Sequence, residues 1–186
     1  MAKKAIGGVT VQVEVLDTAH SPKRLFERAQ QLQGAEQRAA RAQGDSGNVY
    51  DRVWVVTDVD DYAKEIESLT VEAVRAGITL AVSNPCFEVW MIAHCRYSTQ
   101  NYTSKSAQKL ASELGLIAST QRKSPNIKML EGHFVEAEEH AHRLRKHHAN
   151  LGSKFPNDNP STGVNILIRS LLDSAQKSTL GKTIQI

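Results

Sequence analysis

Asp58-Val-Asp60-Asp61 puts three carboxylates within four positions, directly after the apolar run Val53-Trp-Val-Val-Thr57. Like charges this close repel one another unless a cation sits among them or water screens them. In a strand, side chains two apart share a face, so Asp58 and Asp60 are expected to project together from the strand's C-terminal end. Open parallel sheets bind their ligands at that end. Paired carboxylates there offer hard oxygen ligands to a divalent cation, Mg2+ or Mn2+. The same residues also suit an Asp-rich turn, with Asp60 or Asp61 capping the next helix. Spacing alone leaves both uses open.

Other side chains could join that chemistry. Glu88 stands one turn into an apolar segment after Pro85. It either favours the helix N-terminus by its charge or faces the aspartates as a third ligand or base. Asn84 precedes a proline and is biased to extended backbone; it suits a helix cap or a phosphate contact. Lys128, after the basic stretch Gln121-Arg-Lys-Ser-Pro125, is placed to meet phosphate charge or to be solvated. His94 lies in the apolar segment, where a core histidine is the ordinary outcome, and Phe87 and Trp90 suit the core as well. His133, His140, His142, His147 and His148 look like a metal cluster, but His140 and His142 cannot share a helix face. An exposed charged helix explains them better, and its Arg143, Arg145 and Lys146 could meet a nucleic-acid backbone.

The elements that must position these residues follow from periodicity. Val9–Leu16 alternates apolar and polar residues, as a strand does. Ser21-Pro22 opens an exposed, Arg- and Gln-rich helix over 23–42, and 44–48 is a loop. Val53–Thr57, apolar on both faces, is expected at the centre of a covered sheet. Ala63–Ala76 is an amphipathic helix stopped by Gly77, and Ile78–Val82 is a third buried strand. Ser83-Asn-Pro85 is a turn. Helices follow over 87–95, 104–114, 127–151 and 164–174, with a basic loop at 119–126, a polar loop at 152–163 and a loose tail over 176–186. The order β-α-β-α-β followed by helices implies parallel strands joined by crossovers. The expected fold is an α/β layered sandwich with a mostly parallel central sheet and an additional C-terminal helical portion, one domain over 1–175.

A chain of 186 residues can bury a proper core. Its net charge of +3 permits a nucleic-acid partner without arguing for one. No apolar run reaches the roughly 18 residues of a membrane span, and Gln12 and Glu14 interrupt any secretory signal. Cys86 and Cys95 lack CxxC spacing, so a reduced, cytoplasmic setting is expected.

Two enzyme classes place DxD after a buried strand. Haloacid-dehalogenase-like phosphatases use the first Asp as nucleophile but need an acidic pair after a later strand, and none follows Ile78–Val82. Toprim nucleases use DxD to bind magnesium for phosphodiester chemistry. The segment Leu80-Ala-Val-Ser-Asn-Pro-Cys-Phe-Glu-Val-Trp-Met-Ile-Ala-His-Cys95 resembles the hallmark of the RloB-like family, close to SNPCFELWLLLHF. Asn84, Pro85, Cys86, Phe87, Glu88, Trp90 and His94 match it, and Asn159-Pro-Ser-Thr162 is similar to the family's NPST segment. The resemblance covers about residues 50–175. It implies a Toprim-like fold and a metal-dependent nuclease of a bacterial abortive-infection (phage-defence) system, acting on RNA or DNA. Asp58 and Asp60 would bind the metal, and Glu88, Asn84 and Lys128 would serve catalysis. An ABC/AAA-type ATPase is the implied partner, a homodimer the implied assembly, and no membrane is involved. Family members begin with a further strand and an EGxxTE-like segment that carries a Toprim glutamate. Glu14 lies in an alternating strand and does not take that role, so the domain is expected to be N-terminally incomplete. The competing expectation is a Toprim-like interaction subunit without catalysis.

Overall fold

A computed structural model describes residues 2–6, 9–16, 21–44, 49–118 and 124–183. Among them the elements are β1 (Ala2–Ile6), β2 (Val9–Val13), α1 (Pro22–Gln43), β3 (Val53–Asp58), α2 (Ala63–Ala76), β4 (Ile78–Asn84), α3 (Glu88–Ala93), α4 (Ser104–Glu113), α5 (Ile127–Leu130), α6 (Phe134–Asn150), β5 (Ser161–Thr162) and α7 (Val164–Thr183).

The first strand departs from expectation. β2 ends at Val13 and pairs antiparallel with β1, from Ala2↔Val13 to Ile6↔Val9, in a sheet of its own. Gly7-Gly8 stands between the two strands in sequence, a dipeptide that short hairpin connections favour. The pairing is local, whereas a parallel partner for β2 would need a long crossover.

The larger sheet has the order β3-β4-β5. β3 and β4 are parallel from Val53↔Ile78 to Asp58↔Ser83, joined by α2 as the sequence predicts. Gly77, at φ 66°, closes α2 with its N–H on Ala73 and Val74 carbonyls, so β4 starts at once. β5 is antiparallel to β4 and pairs only Ser83↔Thr162 and Asn84↔Ser161. The sheet is therefore small and mixed, not mostly parallel. Among the described strands β4 is central and β3 lies at an edge, with Val56 44% exposed. Val56 alternates onto the face opposite Val55, so its exposure shows that the second apolar face of β3 is not fully covered, and an apolar pattern in any case says nothing about edges. One face of β3, through Val53 and Val55, packs with Ile78 and Leu80 against Phe26, Leu69 and Ala73 of α1 and α2. Toward α7, Arg52 donates to the Ser170 hydroxyl.

Two further clusters carry the helical half. Cys86, Met91 and Ile92 pack with Tyr102, Ala107 and Leu116. Trp90 and Ala93 pack with Ala137, Ala141 and Val164, with Phe87 against both groups. The expected helix over 127–151 is two helices, because Gly132 takes a left-handed φ of 85° between α5 and α6. Ser83 and Asn84 belong to β4 rather than a turn. The segment 152–163 contains β5, and the presumed tail from Gln176 continues α7 as far as Thr183. Most of the loop at 44–48, and residues 119–123 of the expected basic loop with Arg122 and Lys123, lie outside the described residues.

Gly163 lets α7 start against the sheet. Its N–H donates to the Val82 carbonyl at 2.8 Å, and a Cβ there would lie 3.3 Å from Ala81 Cα and Val82 N. Gly163→Ala is expected to cost about 1–3 kcal/mol, because the neighbours are backbone and cannot swing aside. An unchanged urea midpoint would show that this approach is not tight.

Candidate functional site

β3 delivers Asp58 beside Ser83 of β4. The two strand ends are then sewn together: Val59 N–H donates to Ser83 O (2.9 Å) and Pro85 O (3.1 Å), and Asp60 N–H donates to Pro85 O (3.0 Å). Asp60 has φ 37°, in the left-handed region, so strand alternation stops at Asp58. The expected joint projection of Asp58 and Asp60 therefore does not follow from the strand. Asp60 is exposed, and its Oδ1 accepts the Ser104 hydroxyl at 2.5 Å, at the start of α4. Asp61 is exposed too. Neither caps α2, whose N-cap is Tyr62 with no side-chain cap bond.

Glu88 opens α3 and is only 7% exposed. The Cys86 thiol beside it is buried and raised well above its ordinary range. Burial is the main cause, followed by a hydrogen bond to Glu88, the charge of Glu88 and the charge of Asp58. The thiol itself donates to the Ser104 carbonyl at 3.9 Å, and Asp58 and Glu88 stand thirty positions apart in sequence, at the end of β3 and the start of α3. The ion pairs of the described residues (Arg28–Glu14, Lys109–Glu113 and Arg169–Glu138) do not include Glu88. No group of three or more His, Cys, Asp or Glu side chains among the described residues is arranged to hold a metal.

Asn84 is buried, and its amide is engaged inside the protein. Nδ2 donates to Pro156 O (3.0 Å) and Asp158 Oδ1 (2.8 Å). α3 has no side-chain cap. Asp158 Oδ2 accepts the Ser161 hydroxyl at 3.0 Å, and the Ser83 and Thr162 hydroxyls are 3.0 Å apart. Asn159 clamps Tyr102, accepting from its N–H (3.1 Å) and donating to its carbonyl (2.7 Å). The segments around Asn84 and Asn159 therefore form one joint behind the acids. Asp158 and Ser104 are the residues that sequence reasoning missed. Asp158-Asn-Pro160 is itself a turn signal, but nothing local marks Ser104, whose contact spans 44 positions.

Lys128 is exposed on α5 and has no hydrogen bond or ion pair to the acids among the described residues. His94 is a core histidine: Nδ1 donates to Trp90 O at 3.0 Å, and burial, before any other cause, pushes its pKa down. Of the helix histidines, His133 and His142 are exposed, as expected, while His140 and His148 turn inward. His140 Nδ1 donates to Ala93 O and His148 Nε2 to Pro160 O. Arg143 lies 4.0 Å over the Tyr97 ring, while Arg145 turns inward to Thr162 O and Asn165 Oδ1.

These features define a mixed α/β protein with Asp58 at the end of one of two parallel strands and the buried Cys86 and Glu88 just beyond the end of the other. The family model of RloB-like proteins matches residues 2–171, and the chain belongs to the RloB-like protein family. No curated protein and no solved structure matches it. No helix of the described residues is long and apolar enough to cross a membrane.

Proposed function

We propose that this RloB-like chain is the metal-dependent nuclease subunit of a bacterial abortive-infection system, a Toprim-like hydrolase of RNA or DNA phosphodiesters. The observation that carries the reading is that β3 ends in Asp58 beside Ser83 of β4, and that β4 leads within four residues into α3, which opens on the buried Glu88. A buried carboxylate without a cationic side chain is costly, and a divalent cation offsets that cost. The hard oxygen donors of Asp58, Glu88 and Asp60 fit Mg2+ or Mn2+, which supplies positive charge to a phosphodiester when bound. Asp60 must first leave Ser104. Lys128 meets substrate phosphate in this reading, and Asn84 holds the strand end in position. The protein works in the cytoplasm, as a homodimer, with an ABC/AAA-type ATPase.

The second reading is a non-catalytic subunit that binds such an ATPase. It draws on the Asp60–Ser104 bond and on the lack of three converging ligands among the described residues. Calorimetric titration with Mn2+, beside hydrolysis of labelled RNA and DNA, separates the two. Ser104→Ala is expected to tighten Mn2+ binding several-fold, because Asp60 loses its competing donor. Unchanged affinity would remove Asp60 from the site. No binding by either protein at millimolar Mn2+ would leave the interaction subunit. Hydrolysis of a small phosphate monoester through a phospho-Asp58 would point instead to a phosphatase.

A further inference from the structure

The outer edge of β4 is open over its first half. β5 pairs with Ser83 and Asn84 only, and the chain turns into α7 after Gly163 bonds Val82. In a parallel pairing alternate residues direct their backbone groups to opposite edges. Ser83 bonds Val59 on the β3 side, so Val82, Leu80 and Ile78 direct theirs away from β3. No strand of the described residues pairs with Leu80 on that side.

A groove of about 550 Å³ runs along this edge. Val74 of α2 and Ile166 of α7 line it and are 78% and 47% exposed. Arg145 also lines it. Its hydrogen bonds go to Thr162 O, Asn165 Oδ1 and His142 Nδ1, none of them a carboxylate. The carboxylate whose charge reaches it, Glu138, is already spent on Arg169. Asp158 lines the groove as well, with both oxygens accepting from Asn84 and Ser161. Among the described residues the groove thus offers a backbone edge that no strand pairs, apolar walls, and the guanidinium of Arg145, to which no carboxylate is bonded.

We propose that this groove binds an extended peptide segment of a partner protein, which adds as a strand to the outer edge of β4. Its alternate apolar side chains seat between Val74 and Ile166, and a carboxylate meets Arg145. Strand addition takes affinity from main-chain bonds and specificity from the side chains on either face. Nucleic acid does not suit the site, because apolar walls with one cation make no phosphate track. The site is separate from Asp58 and Glu88, so it stands whether or not the nuclease reading does.

Fluorescence polarisation on the full chain tests it. The probe is a capped, labelled Thr-Val-Glu-Val-Thr-Val peptide, with a Glu-to-Gln version and two versions N-methylated at opposite sets of alternate amides. Binding is expected, at least tenfold weaker for the Gln peptide. One methylated set should lose binding and the other keep it. Val74→Glu and Ile166→Glu, both at exposed positions that preserve folding, should each weaken it at least tenfold with melting temperature unchanged. No binding at 1 mM peptide, equal affinity for the Glu and Gln peptides, or indifference to both substitutions would overturn the proposal. So would self-association of the chain that Val74→Glu abolishes, which would assign the edge to a second copy.

Discussion

Asp58→Asn is expected to abolish Mn2+ binding and to lower phosphodiester hydrolysis by about a hundredfold or more, roughly 2.7 kcal/mol of barrier. The metal-free protein should be as stable as wild type or more so. In the nuclease reading Asp58 and Glu88 share a cation, so removing one charge relieves their repulsion when no cation is bound. Linkage makes the test independent of turnover. Saturation at 100 times Kd adds about 2.7 kcal/mol to a protein that binds only when folded. Wild type should therefore melt higher with Mn2+, and the variant should not. If Asp58→Asn strongly destabilises the metal-free chain, Asp58 is a structural group, and the nuclease reading loses its first ligand.

Phe26→Ala is expected to lower stability by about 3–5 kcal/mol, the range for truncating a buried aromatic. Phe26 is 1% exposed and packs with Val55, Leu69, Ala73 and Ile78. It holds α1 and α2 against the face of β3 and β4, the strands that carry Asp58 and Ser83. At about 2–4 °C per kcal/mol for a domain of this size, melting should fall by roughly 6–20 °C. A loss below about 1 kcal/mol would mean that α1 is not part of the cooperative core. Because Phe26 lies on the sheet face and not among the acids, Mn2+ affinity of the folded fraction should survive.

The local elements were legible because their causes are local. Apolar runs set β3 and β4, periodicity set α2, and Gly77 stopped it where expected. Pro22 opened α1, and the apolar setting of His94 marked a core histidine that burial bears out. The family was legible from Ser83–His94 and Asn159–Thr162, both of which lie inside the residues that the family model matches. Gly7-Gly8 was readable too, and overlooking it merged a hairpin strand into the wrong sheet.

The rest depended on pairings between distant positions. Whether β3 is central or an edge depends on which strands arrive beside it, and an apolar face looks the same in both places. The partnership of Asp60 with Ser104, of Asn84 with Asp158 and of Ser83 with Thr162 spans 44, 74 and 79 positions. Strand alternation placed Asp60 beside Asp58 only for as long as the strand continued, and a positive φ ended it. Sequence by itself determined the acids, the buried Cys-x-Glu and the strands that carry them. Tertiary structure alone decided that Asp60 turns to Ser104 and that, among the described strands, β4 keeps one edge partly open, because side-chain direction and strand order are set by packing between segments that share no local pattern.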